Sequence, residues 1–244
     1  MKYLNIDCMD KEQGIPSYAT EYFDLGLIDV PYGKNVAKMP FTQETNRPCR
    51  QKNGSSIIVQ KEAYKVKEWD NKVPNQDYFN ELFRVTKHQI IFGIDYLGHI
   101  EMPKGGRIKW NKGFADGMSF AQYERAYCSF VEHEINLDLL WAGMQQAKSL
   151  REPMTQQGNK KLNEKRIHPC HKPILLYQRL ISLYMGFVYD GDKRILDTHT
   201  GSGSSIIACL KTGFDITAFE TDPDYYRDSA KRIENFRKQL KLAI

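Results

Sequence analysis

Two stretches of the chain place an acid next to residues that turn the backbone, the setting in which a carboxylate can meet a bound molecule. In residues 195–222 a short apolar run ends in Asp197 and gives way to the turn Thr200-Gly201-Ser202-Gly203. An apolar helical run follows, and a second extended run closes on Glu220, roughly 20 residues past the glycines. Glycines let a backbone approach a ligand closely, and an acid at that distance can accept hydrogen bonds from two ribose hydroxyls. In the second stretch an apolar run over residues 22–28 leads straight into Asp29-Val30-Pro31-Tyr32-Gly33. Pro31 restricts the backbone and Gly33 lets it turn, so Asp29 and Tyr32 are expected to project into one pocket.

The turn narrows the ligand. A dinucleotide site would carry a third glycine where Ile206 stands, and a phosphate-binding loop would follow Gly203 with lysine rather than Ser204-Ser205. An adenosine ligand without phosphates remains, S-adenosyl-L-methionine foremost. The same glycines would also serve an ordinary tight junction between a strand and a helix.

These acids need strands to carry them. Residues 3–7, 22–28, 88–97 and 214–219 read as strands, with further strands at 107–110 and 126–131. Phe79, Leu82 and Phe83 have helical spacing, residues 174–184 form an amphipathic helix, and the tail from Asp224 is a charged helix with Asp222 as its N-cap and Pro223 at its first position. Gly213 should stop the helix after the glycine turn. Residues 34–73 and 148–172 read as long polar, basic loops, the first with Lys61, Lys65 and Lys67, the second with Lys148, Arg151, Lys160, Lys161, Lys165, Arg166 and Lys172. The 244 residues suit a single α/β domain spanning 1–244. A formal charge of +5 is compatible with a polyanionic partner. Five scattered cysteines point to a reducing, cytoplasmic setting and no structural metal, and no run is apolar enough for a membrane span. His168 and His171 read as structural, Trp110 and Trp141 as packing residues.

Taken together, LIDVPYG at 27–33, HPCHKP at 168–173, LDTHTGSGSS at 196–205 and FETD at 219–222 resemble the motifs of the β-group amino DNA methyltransferases, in particular small adenine-N6 enzymes of phage and prophage type. KEWDN at 67–71, ELFRVTKHQIIFG at 81–93 and Trp110-Asn111-Lys112 extend the likeness over nearly the whole chain. The resemblance implies a Rossmann-like methyltransferase fold with a mixed seven-stranded sheet flanked by helices, circularly permuted so that the catalytic motif precedes the cofactor motif. It places Asp29, Val30, Pro31 and Tyr32 at the catalytic D-P-P-Y positions. Asp197, Thr200, Gly201, Ser202, Gly203 and Glu220 fall at those holding the cofactor's methionine and ribose, Asp7 near its adenine, and Lys172 in the motif whose following helix packs beside the methionine. Val30 replaces the usual proline, and Thr198-His199 the usual Pro-Phe.

The resemblance further implies a site-specific enzyme, bacterial or phage-encoded and tied to DNA methylation and restriction-modification. It would act on an extruded adenine stacked on Tyr32, while the two basic loops approach DNA phosphates. With little chain left for a recognition domain, a short target site or a homodimer is expected. Two readings stand beside this one: methylation of the cytosine N4 amine, and a DNA-binding protein that has lost catalysis, to which Val30 points.

Overall fold

The computed structural model describes residues 1–39, 45–50, 54–61, 67–114, 116, 121–159, 163–186 and 193–242. Its centre is a sheet of eight strands: β1 (Lys2–Leu4), β2 (Phe23–Ile28), β5 (Thr86–Phe92), β6 (Gly106–Asn111), β7 (Tyr123–Cys128), β8 (Glu134–Asp138), β11 (Arg194–Asp197) and β12 (Asp215–Phe219). They lie in the order β1-β12-β11-β2-β5-β7-β6-β8. The first five in that order run parallel, and β7 is antiparallel to both β5 and β6. The mixed, helix-flanked sheet is the one expected, with eight strands rather than seven. The strand passed over in the sequence is β8, paired parallel with β6 at the sheet edge. Only Leu137 is buried among its five residues, so an edge strand wetted on one side leaves a weak apolar pattern.

β2 is buried at all six positions, as a central parallel strand must be. Around it the chain winds outward in two directions. Helix α1 (Gln76–Val85) lies in the chain between β2 and β5, and α3 (Ser204–Thr212) connects β11 to β12. Ile91 of β5 packs in a core with Phe79 and Leu82 of α1, while Ile90 and Phe92 face the other core, shared with α2 (Ile174–Tyr184) and α3. This alternation places helices on both faces. α4 (Pro223–Leu242) starts as the sequence indicates, with Asp222 Oδ1 accepting from the N–H groups of Asp224 and Tyr225.

The reading of residues 34–73 as one loop needs correction. Thr45–Arg50 (β3) and Ser56–Lys61 (β4) form an antiparallel hairpin; β3 is polar and shows no alternation, and the Ile57-Ile58-Val59 run of β4 is a three-residue signal that the sequence reading passed over. β9 (Trp141–Ala142) and β10 (Gln145–Gln146) pair in a second small hairpin. The 126–131 strand begins earlier, at Tyr123. Among the described residues no helix is long and apolar enough to cross a membrane.

Candidate active site

The crossovers leave β11 and β2 on opposite sides, so the crevice between these neighbours is the topological switch point where open α/β sheets bind ligands. Each strand of the parallel set ends there in a useful residue. Asp29 follows β2, Asp197 ends β11, Glu220 follows β12, Asp7 lies three residues after β1, and Gly93 follows β5.

A cavity of about 300 Å³ opens at this edge. Asp7, Asp29, Val30, Pro31, Tyr32, Lys172, Thr200, Gly201, Ser202 and Glu220 all line it. Asp197 and Gly203 do not. Asp197 is buried behind the turn, where its carboxylate accepts from the His199 N–H and the Ser205 hydroxyl. Gly203, at φ 76°, is the N-cap of α3. Burial raises the Asp197 carboxyl to about 7 against those hydrogen bonds.

On the cofactor-motif side, Glu220 Oε2 accepts the Gly201 N–H at 2.8 Å and Oε1 the Asp222 N–H at 2.9 Å. Burial raises its carboxyl too. Gly201 sits at φ 54° with the His168 ring 3.5 Å from where a Cβ would stand. Thr200 Oγ1 is buried and has no hydrogen-bond partner among the described residues. The Thr198-His199 departure is absorbed by a local network: the Thr198 hydroxyl bonds Tyr78 Oη of α1 at 2.6 Å and His199 Nδ1 at 2.9 Å. Burial lowers His168 to about 3 and His199 to about 4, so both rings are neutral.

On the other side stands a cluster of charges that the sequence does not announce. Tyr32 Oη lies 2.7 Å from both Asp29 Oδ1 and Glu124 Oε1, so its single proton is donated to one carboxylate oxygen or the other. Lys172 Nζ reaches Asp29 Oδ1 at 2.5 Å, Glu124 Oε1 at 2.9 Å and Tyr32 Oη at 3.1 Å. Lys112 Nζ holds the other Glu124 oxygen at 2.8 Å. The two carboxylates and two ammonium groups therefore balance. Burial works to raise the Glu124 carboxyl, but Lys172 and Lys112 outweigh it and hold it below the usual range. Burial works to lower Lys172, and Asp29 and Glu124 outweigh it in turn, holding it above the ordinary lysine range. The Asp29 carboxyl is raised by burial, with Lys172 opposing.

The structure thus assigns Lys172 to the Asp29 cluster, whereas the sequence reading grouped it with the cofactor residues and the basic loop. Lys67 also leaves its expected place: it bonds Asp222 and Asp224 at the start of α4. Lys148 bonds the Asn159 carbonyl at 2.5 Å, and the Arg166 guanidinium lies 4.4 Å from the Trp141 ring. Lys65, Lys160 and Lys161 lie outside the described residues. Sequence reasoning missed Glu124 and left Lys112 unassigned. Glu124 is a polar residue in an inner strand, at a position where β7 is half-buried, and its partners come from residues 32, 112 and 172.

The family profile of DNA methylases matches residues 10–232. No curated protein is a match. Among solved structures, the M1.HpyAVI complex with SAM has 14% identity and a TM-score of 0.50, covering 95% of this chain and 98% of the other. TTHA0409 from Thermus thermophilus, a candidate DNA modification methylase, has 14% identity and a TM-score of 0.50, covering 96% and 95%. The cytosine-N4-specific PvuII DNA methyltransferase has 12% identity and a TM-score of 0.48 over 93% and 86%. At these identities the first two likenesses establish the fold.

Proposed function

Because the chain belongs to the N6/N4 DNA methylase family, we propose that it transfers a methyl group from S-adenosylmethionine to the exocyclic N6 amine of adenine in DNA. The observation that carries this reading is the cavity itself, which holds the Asp29–Tyr32 turn and the Gly201/Glu220 cofactor turn in one space.

The residues present fit S-adenosylmethionine. Asp7, Asp29, Asp70 and Glu220 line the cavity with two neutral imidazoles and two lysines, of which Lys172 is paired with Asp29 and Glu124, an acid-rich environment suited to a ligand with sulfonium and ammonium charges. Glu220 stands where two ribose hydroxyls would be accepted, and the orphaned Thr200 hydroxyl offers a further polar contact. When bound, the cofactor supplies an electrophilic methyl group.

An adenine amine is a poor nucleophile because its lone pair is delocalised into the ring. Asp29 and the Val30 carbonyl would accept its two N–H bonds, drawing the nitrogen toward tetrahedral geometry and freeing the lone pair. Both partners of the Asp29 carboxylate sit on Oδ1, and among the described residues no hydrogen bond reaches Oδ2. That oxygen can take the amine without breaking the cluster. Positioning and hydrogen bonds that strengthen in the transition state would carry the rate. The carbonyl of Val30 is a backbone group, so the loss of proline there does not remove it.

The target base must leave the duplex to reach Asp29, and the Tyr32 ring would receive it. Lys34, Lys72, Arg151 and Lys165 are exposed near the same edge or on the basic loop and would bind phosphates. A homodimer remains part of this proposal, checked by sedimentation of the free protein.

The deciding experiment is to incubate the protein with S-adenosylmethionine and unmethylated DNA, digest to nucleosides and identify the product by mass spectrometry. N6-methyladenine, lost in Asp29→Ala, is the expected result. N4-methylcytosine would overturn the choice of base, and cofactor binding without product on any DNA would favour a binding protein.

A further inference from the structure

The turn that follows β2 is held by a residue 38 positions along the chain. Asp70 Oδ1 accepts the backbone N–H of Tyr32 at 2.9 Å and of Gly33 at 3.0 Å, and Oδ2 accepts that of Val36 at 3.0 Å. The Asp70 carbonyl accepts a fourth, from Asn35, at 3.1 Å. Gly33 and Asn35 both have positive φ, 70° and 52°, and such a winding turns successive N–H groups toward one centre, a concavity made for an anion. The anion here is a side chain of the protein, only 2% exposed.

Asp70 is itself fixed from elsewhere. Three residues earlier, Lys67 bonds Asp222 and Asp224 at the start of α4. The Trp69 ring lies 4.7 Å from His168, which in turn packs over Gly201 of the glycine turn. One short strap, residues 67–70, therefore grips the cofactor-motif wall with Lys67 and Trp69 and the Asp29–Tyr32 turn with Asp70.

We propose that Asp70 is a positioning residue for methyl transfer: its carboxylate replaces the rigidity that a second proline at position 30 would give, and sets the Asp29–Tyr32 turn relative to the cofactor wall. The proposal rests on the functional reading above. Asp70 spends its carboxylate on backbone N–H groups, so its action on the amine is through the turn.

The test compares wild type with Asp70→Asn, which keeps the shape but places an amide where two-sided acceptance is needed. Amide exchange followed by NMR is read at Tyr32, Gly33 and Val36, with Gly201 as the internal reference. Exchange at the three should accelerate about tenfold or more while Gly201 is unchanged. In the same variant kcat should fall about tenfold with the cofactor Kd within about twofold. Asp70→Glu, which keeps the charge on a longer arm, should give intermediate values. Unchanged exchange in Asp70→Asn, equal acceleration at Gly201, or a loss confined to cofactor binding would each overturn the proposal. So would exposed-turn exchange rates at these three amides in the wild type, a reading that stands even if both variants fail to fold. Should the wild type transfer no methyl group, the functional reading fails while the exchange data still decide whether the clamp exists.

Discussion

The ammonium of Lys172 lies 2.5 Å from the carboxylate of Asp29, across 143 residues of chain, and it also touches Glu124 at 2.9 Å. One buried cation thus serves two acids, and only one of these lines the cavity. Lys172 opposes the burial that raises the Asp29 carboxyl, and because Glu124 shares the lysine, its charge does not fall on Asp29 alone.

Removing that cation should be costly. Lys172→Met would leave Asp29 and Glu124 as close buried carboxylates with Lys112 as their remaining cation. A stability loss of about 3 kcal/mol is expected in urea denaturation. The Asp29 carboxyl should rise further, so the acid limb of the pH–rate profile should move to higher pH. An unchanged midpoint would show that the cluster contributes little.

Glu124→Gln tests the sharing. With glutamine there, the charge of Lys172 falls wholly on Asp29 and weakens it as a hydrogen-bond acceptor. Single-turnover methyl transfer should slow by about tenfold while the cofactor Kd stays the same. A proportionate loss of cofactor binding would place Glu124 on the other side of the cavity's chemistry.

Asp197 predicts a pH dependence near neutrality. Its folded carboxyl titrates at about 7, above an unfolded value near 4, so the native state binds this proton more tightly than the unfolded chain. The stability it contributes is complete below about pH 4 and is lost as pH rises through about 7. A cationic ligand favours the ionised form. Cofactor affinity should therefore rise by up to about tenfold between pH 6 and 8, with proton release in calorimetry, and Asp197→Asn should flatten both.

Gly93 is a steric test of Tyr32. It sits at φ 75°, and a Cβ there would lie 2.1 Å from Tyr32 Cε1. Gly93→Ala should cost about 1–3 kcal/mol and push the ring, whose centroid is 5.1 Å from that of Tyr96, away from the carboxylates. Methyl transfer should fall more than cofactor binding. Wild-type kinetics with an unshifted melting temperature would show that the ring moves freely.

The amino-acid sequence by itself determined the strand-turn units and their acids. Asp29 after β2 and Glu220 after β12 were legible because a buried parallel strand is a continuous apolar run, and the polar residue that ends it is conspicuous. The glycine turn, the caps of α3 and α4 and the bounds of α2 were equally local, being matters of φ angle and side-chain spacing over a few residues. Weak local signals failed: β8 at a wetted edge and polar β3 left little alternation to read, and the apolar run of β4 spans only Ile57-Ile58-Val59. Tertiary structure alone decided what the charged residues do. Lys67 reads as one more basic loop residue until α4 brings Asp222 and Asp224 to it, and Lys172, read with the cofactor motif and the basic loop, is set by folding between Asp29 and Glu124. Asp70 becomes a clamp only when the turn after β2 presents its N–H groups. The physical reason is range: backbone preference and burial periodicity act between near neighbours, whereas a charge takes its partner from whichever segment the packed core delivers.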